Sequence, residues 1–354
     1  MCGIIGIVSR APTRETPVIA DILTILDSAV AVAAVEGSIE ESTMLVEQVD
    51  ASLKGVPGVV ALAGRPDDVA SITARLDQLD AVGATTEAEL DTNAGGLDPE
   101  ALESANARLI AFKDALWAVR SDRLRTVAAV ETLAGRDATP SQLAGYLAVQ
   151  QAFAGLDRLE VRGRDSAGLH VLVRGHDIAD DALAVLIAER GVDPLFQSGA
   201  VAVANGCLSF VYKAAAEIGE LGDNTAALRA ALAADGLLRR ALAAPTARAT
   251  ILGHTRWASV GIISEPNTHP LNSWEVEQSG GAEPPYVVAA LNGDVDNHAD
   301  LRVAHGLRIA PTITTDAKVT PTLVARHAAA GATLGEAFRR TVAEFEGSVA
   351  IGVA

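Results

Sequence analysis

The sequence predicts an α+β protein, and three observations carry the prediction. It opens on a short apolar run, Cys-Gly-Ile-Ile-Gly-Ile-Val over 2–8. A long Ala-, Leu- and acid-rich stretch with helical periodicity follows, and beyond it strand-like runs return with helical segments between some of them.

The first run reads as a buried strand, since a short Ile- and Val-rich segment suits a sheet covered on both faces. From Ala11 to Leu156 the pattern is that of several antiparallel helices, Ala107–Val130 among the clearest. The breaks fall at Gly55–Gly58, Gly64–Pro66, Gly95–Pro99 and Gly135–Pro140. Strand-like runs then occupy 168–173, 200–204, 250–254, 286–292 and 348–354, with helical stretches at Asn224–Leu242 and Pro321–Phe345. Gln278–Pro285, with its glycines and prolines, reads as a mobile loop. The expected organisation is one interrupted domain, 1–10 with 157–354, carrying a helical insertion over 11–156.

Composition narrows the function. The 354 residues carry a formal charge of -17, which argues against a nucleic-acid partner, because phosphate recognition relies on clustered Lys and Arg. The most apolar stretch, Pro17–Val35, contains Asp21 and Asp27 and so reads as a packed helix; no membrane association is expected. No basic region precedes the first apolar run, so the expected location is cytoplasmic. Cys2 and Cys207 are the two cysteines, without metal-ligand spacing; no metal and no cofactor are expected.

Cys2 is the first candidate for chemistry. Removal of Met1 would leave a thiol and an α-amine on one residue. An α-amine titrates at about 7.7–8.0, close enough to neutrality to act as a general base. The competing reading is a small buried hydrophobe in an ordinary strand. Four further clusters bear on the choice: Gly253-His254-Thr255-Arg256-Trp257-Ala258-Ser259, Asn267-Thr268-His269-Pro270, Leu291-Asn292-Gly293 and Thr314-Thr315-Asp316.

Together with Cys2-Gly3-Ile4-Ile5-Gly6 and Arg162-Gly163-Arg164-Asp165-Ser166-Ala167-Gly168, these clusters resemble, in order, the motifs of class II glutamine amidotransferases, the N-terminal-nucleophile (Ntn) glutaminases. Within that family the pattern is nearest to the glutaminase domain of the glucosamine-6-phosphate synthases (glutamine:fructose-6-phosphate aminotransferases), with Ser259 replacing a Thr. The resemblance implies a four-layer α/β/β/α sandwich and a reaction in which Cys2 hydrolyses glutamine to glutamate and ammonia through a thioester. By the same resemblance Asn292 and Gly293 stabilise the oxyanion, Arg256 holds the substrate carboxylate, Asp316 holds its ammonium, and Trp257, Ser259 and His269 line the pocket. A guanidinium fork suits a carboxylate, and Asn and Gly N–H groups suit an oxyanion. Bland readings stand beside these: Asp316 as a helix N-cap, Asn292-Gly293 as a hairpin turn, Arg256 as a structural ion pair, His269 as an ordinary buried histidine.

The chain departs from the pattern in places. Leu291 stands where a His usually precedes Asn-Gly, and Ala317-Lys318 follow Asp316 where a small polar residue and an acid are usual; the Lys318 amine is expected to point to solvent. The end, Glu346–Ala354, resembles a late strand of the glutaminase domain, after which the family continues into sugar-phosphate isomerase domains. The expectation is therefore a domain truncated at its C-terminus, whose synthase partner domain is absent from this chain. It would release ammonia, with fructose 6-phosphate the acceptor the resemblance suggests. A homo-oligomer is compatible with the sequence. The alternatives are a non-catalytic scaffold with a glutaminase fold whose insertion binds a partner protein, and an amidotransferase with a different acceptor.

Overall fold

The computed structural model describes residues 2–35, 38–93, 96, 98–190, 196–215, 220–274 and 285–354. Apart from Pro285, the Gln278–Pro285 loop reading lies outside the described residues. The protein is mixed α+β and divides into two compact units, Met1–Arg10 with Ala148–Ala354, and Ala11–Leu147. The division falls within a single helix, Pro140–Leu159.

After strand β1 (Gly3–Val8) the chain enters the helical unit: α1 (Ile19–Ala33), α2 (Ile39–Leu53), α3 (Val56–Leu62), α4 (Pro66–Asn93), α5 (Pro99–Trp117), a π-helical segment (Ala118–Leu124), α6 (Arg125–Ala134) and the first turns of α7 (Pro140–Leu159). Proline opens α4, α5 and α7, where its missing N–H costs nothing, and the Asp98 side chain caps α5 by accepting from the Ala101 N–H (3.0 Å). Ile72, Leu76 and Leu79 recur at helical spacing and are buried, with Leu26, Val46, Val49, Phe112 and Leu116, in this unit's own core. The apolar stretch Pro17–Val35 thus supplies a packed helix, α1. Among the described residues no helix is long and apolar enough to cross a membrane.

The other unit continues with β2 (Ser166–Arg174), α8 (Asp180–Arg190), β3 (Val201–Ala204), β4 (Cys207–Ala214), α9 (Asp223–Ala233), α10 (Gly236–Ala241), β5 (Arg248–Arg256), β6 (Leu271–Asn272), β7 (Val288–Val295), α11 (His298–Ala304), α12 (Val319–Ala329), α13 (Leu334–Ala343) and β8 (Gly347–Val353). Each of the two long helices expected here is split by a cap. Asp235 turns its carboxylate to the Leu238 N–H (3.0 Å) and starts α10, and Thr333 accepts from the Glu336 N–H (3.3 Å) to start α13. β4 was not among the predicted strands. Its signal is Asn205-Gly206, both at positive φ (52° and 68°), the dipeptide of a tight hairpin turn.

Two antiparallel sheets result, ordered β1-β5-β2-β4-β3 and β6-β7-β8 among the described residues. Side chains alternate faces along a strand. Ile5, Leu169 and Gly253 meet Leu156 of α7 on one face of the first sheet. Ile4, Leu172 and Leu252 pack on the other face against Val288 and Ala290 of the second sheet. The far face of β7 buries Leu291 and Val295 against Ala317, Val319 and Leu323. The same alternation aims His254 and Arg256 of β5 into the space between the sheets, with Cys2 in the register of Ile4 and with Asn292 and Asp294 on the facing side of β7.

Candidate active site

Cys2 and Asn292 grip one another. The Cys2 N–H donates to Asn292 Oδ1 (3.2 Å), and Asn292 Nδ2 donates to the Cys2 carbonyl (3.0 Å). A carboxamide nitrogen has two N–H groups, so one remains for another acceptor. The sulfur is held by a main chain, not a side chain: the Trp257 N–H donates to Cys2 Sγ (3.2 Å), and the thiol lies 3.5 Å from the Trp257 carbonyl. Burial pushes the Cys2 thiol up; the Trp257 N–H and the Arg256 charge oppose that, and the Asp294 carboxylate adds to it. Trp257 as a residue is 60% exposed, and it reaches the sulfur through its backbone.

Arg256, 2% exposed, spends its guanidinium on the loop that follows it, donating to the carbonyls of Val260 (2.5 Å), Ile262 (3.1 Å) and Gly261 (3.4 Å). Burial lowers its pKa while Cys2, Asp165 and Asp316 oppose the shift, and a guanidinium stays charged in such a setting. Asp165 pins the strand end: its N–H donates to the Arg256 carbonyl (3.1 Å) and its carboxylate accepts from the Ala258 N–H (2.6 Å). Ser259 donates its hydroxyl to Asp294 (2.6 Å).

Asp316 is buried at the start of a 3-10 turn, Asp316–Lys318. Its carboxylate reaches across to β7, accepting from the Val295 N–H (2.8 Å) and from the Thr315 hydroxyl (3.2 Å). Asp316 is the first residue of this turn, and the cap position before it is Thr315. The segment before it is shaped by Asn267, whose Oδ1 accepts from the N–H groups of Thr314 (2.7 Å) and Thr315 (2.9 Å) and whose Nδ2 donates to Thr312 O (3.0 Å). Lys318 corrects the expectation of a solvent-facing amine. It is fully buried, donates to the carbonyls of Asn272 (2.5 Å) and Trp274 (2.7 Å), and lies 4.8 Å from the Phe196 ring centre. Side chains two apart on a helical turn do not face each other, so Lys318 leaves the turn away from Asp316.

His269 lies behind the strand. Its Nδ1 sits 3.2 Å from the Leu291 carbonyl, its Nε2 3.5 Å from Thr315 Oγ1, and its ring centre 4.5 Å from that of His254, whose Nε2–H donates to the same carbonyl (3.0 Å). Burial holds His269 and His170 well below the usual imidazole range and His254 at about 3. The unfolded chain therefore binds protons that the folded one refuses between pH 6.5 and those lowered values, so stability rises with pH through this window and falls on acidification. Urea unfolding is expected to show a midpoint that drops as pH goes from 7 to 4. His254→Gln should flatten that slope by up to about one proton, about 1.4 kcal/mol per pH unit; an unchanged slope would mean that His254 does not titrate differently on unfolding.

The structure thus brings Cys2, Asn292 and the Trp257 backbone into direct contact, with Arg256, Ser259 and Gly293 in the adjoining segments and Asp316 tied to β7; His269 is set back behind Leu291. Asp294, Asp165 and Asn267 were given no role from sequence. Asp165 and Asn267 stand inside quoted motifs, while Asp294 follows Gly293 directly, and its place on the inner face is signalled by the two-residue spacing from Asn292. Among the described residues no group of three or more His, Cys, Asp or Glu is placed to hold a metal ion.

No protein-family model matches the chain. It is similar to curated proteins of one class, glutamine-dependent aminotransferases. These are glutamine--fructose-6-phosphate aminotransferases (isomerizing): that of Geobacillus kaustophilus is 29% identical over 216 residues, 60% of this chain and 26% of the relative. That of Acidithiobacillus ferridurans is 30% identical over 207 residues, 58% of this chain and 24% of the relative. That of Xanthomonas campestris pv. campestris is 34% identical over 103 residues, 29% of this chain and 15% of the relative. The chain spans about a quarter of the length of the first two.

Proposed function

We propose that this chain is the glutaminase part of a glutamine amidotransferase, built as an Ntn-type α/β/β/α sandwich (1–10 with 157–354) into which a helical segment is inserted. The observation that carries the reading is the reciprocal hold of Cys2 by Asn292 and by the Trp257 backbone. The fold reading is supported by the packing of Ile4 and Leu252 on Val288, with helices against the opposite face of each sheet.

Removal of Met1 frees the Cys2 α-amine, which then sits at Asn292 Oδ1 and takes the thiol proton. The sulfur attacks the side-chain amide carbon of glutamine, and the oxyanion that forms is met by the second N–H of Asn292 Nδ2 and by the Gly293 N–H. The amine returns its proton to the leaving nitrogen, ammonia departs, and a thioester remains. Water attacks this thioester through the same oxyanion site, giving glutamate and the free thiol. Arg256 and Ser259 bind the substrate carboxylate beside Trp257, Asp316 binds the ammonium, and His269 supports Asp316 through Thr315. No cofactor or metal takes part. Ammonia passes to a synthase domain, with fructose 6-phosphate as acceptor, in the cytoplasm.

The test is glutamate release from glutamine by protein with a processed N-terminus, together with covalent labelling of Cys2 by a glutamine-analogue electrophile located by mass spectrometry. Neither signal appearing would refute the catalytic reading. A non-catalytic scaffold is told apart by calorimetry, since it would show no heat of glutamine binding.

A further inference from the structure

The groups assigned to the substrate carboxylate are already occupied from within the chain. Arg256 donates to three consecutive loop carbonyls, and the Ser259 hydroxyl donates to a carboxylate, that of Asp294, at 2.6 Å. That second contact is the bond a substrate carboxylate would make with the same hydroxyl. Asp294 is well placed to compete. It is two residues from Asn292 on β7, on the same inner face, and half-buried; its other carboxylate oxygen has no hydrogen-bond partner among the described residues. The bond also ties β7 to the loop whose first residue, Trp257, holds the sulfur.

We propose that Asp294 is an internal competitor for the substrate's carboxylate: in the empty site it holds Ser259 and keeps the 257–262 loop against β7, and glutamine must displace it to bind. Asp294 touches none of the reacting atoms, so it acts as a positioning residue that sets how readily substrate enters. Two consequences follow from the charge. Removing the carboxylate frees the Ser259 donor, and it removes a negative charge from the path of an anionic group. The proposal rests on the reading of Arg256 and Ser259 as the carboxylate-binding pair.

The experiment is steady-state glutaminase kinetics on wild type, Asp294→Ala, Asp294→Asn and, as a control, Asp296→Ala, which removes an exposed acid near the end of the same strand. Asp294→Ala is expected to lower KM for glutamine about three- to tenfold, the size of one charge-assisted bond partly compensated by water, with kcat within about twofold. Asp294→Asn, which keeps the shape and an acceptor but loses the charge, should fall between and guards against a folding defect in the alanine variant. The gain should vanish with glutamine α-amide, which has no carboxylate to compete. An unchanged or raised KM in both Asp294 variants, an equal drop in Asp296→Ala, or an equal gain with the α-amide overturns the proposal. Failure of the glutaminase reading looks different: wild type itself would neither turn over nor bind glutamine.

Discussion

Cys2→Ala is expected to lower glutamine hydrolysis by about 10⁴-fold or more, the scale on which enzymes lose activity when the nucleophile is removed, while leaving the fold intact. The second half follows from the surroundings of Cys2. The residue is half-buried, precedes β1 rather than standing within it, and its main-chain bonds to Asn292 do not involve the sulfur. Losing one sulfur there removes the contacts to Trp257 and little else, so circular dichroism and thermal unfolding should match wild type. A second arm separates the thiol from the amine. Keeping Met1, or adding an N-terminal tag, leaves the sulfur in place but turns the Cys2 nitrogen into an amide with no basic lone pair. That change should cost about 10²–10⁴-fold, the usual worth of a general base. Coupled detection of glutamate measures both. Hydrolysis that survives Cys2→Ala would remove Cys2 from the mechanism, and a blocked N-terminus with full activity would assign the base elsewhere.

The parts of this protein that were legible in its sequence are those written in local periodicity. β1, β2, β5, β7 and β8 each fall on an apolar run; β2, β5 and most of β7 are buried along their length and need no polar alternation, whereas β1, expected as a buried strand, and β8 keep exposed positions, with Val8 66% exposed. The failures have local causes of another kind. Asp235 and Thr333 sit inside helical patterns, and periodicity cannot tell a polar residue riding a helix from one that ends it by turning its side chain onto the next turn's N–H. At the site, residue types were readable but their contacts were not. Cys2 meets its partners some 255 and 290 residues away, so no spacing in the chain reports them. The Trp257 backbone on the sulfur, the loop carbonyls on Arg256 and the Asp294–Ser259 bond all depend on the path of the loop after β5. Main-chain atoms, identical in every residue, leave no mark on composition. Lys318 shows the same limit in reverse: a charged residue was assigned to solvent by its type, whereas two backbone carbonyls and an aromatic face make a buried place for its amine.

Gly293→Ala should be among the most damaging single-methyl additions to this protein. Gly293 lies within β7, paired with Val349 of β8, yet its φ is +120°, a conformation that L side chains rarely adopt. A Cβ built there would fall 1.9 Å from the Ser348 carbonyl oxygen, which is backbone and has no rotamer to escape by. Strain at such a φ costs about 1–3 kcal/mol, and forcing an atom into a filled space about 1–3 more, so the expected loss is about 2–6 kcal/mol. For a chain of this size that lowers the melting temperature by roughly 3–8 °C. The protein can relieve the clash by moving β7 away from β8. That motion carries Asn292 off the Cys2 main chain and shifts the Gly293 N–H assigned to the oxyanion, so hydrolysis should fall more than the folded fraction does. Gly335→Ala, in α13 with nothing within 4 Å of the added carbon, is the matched control and should leave the melting temperature unchanged or slightly raised. Differential scanning calorimetry of the two variants beside wild type makes the measurement. If Gly293→Ala melts within a degree or two of wild type, the strand has room that this geometry denies it, and Gly293 is not held in place by the close approach of β8.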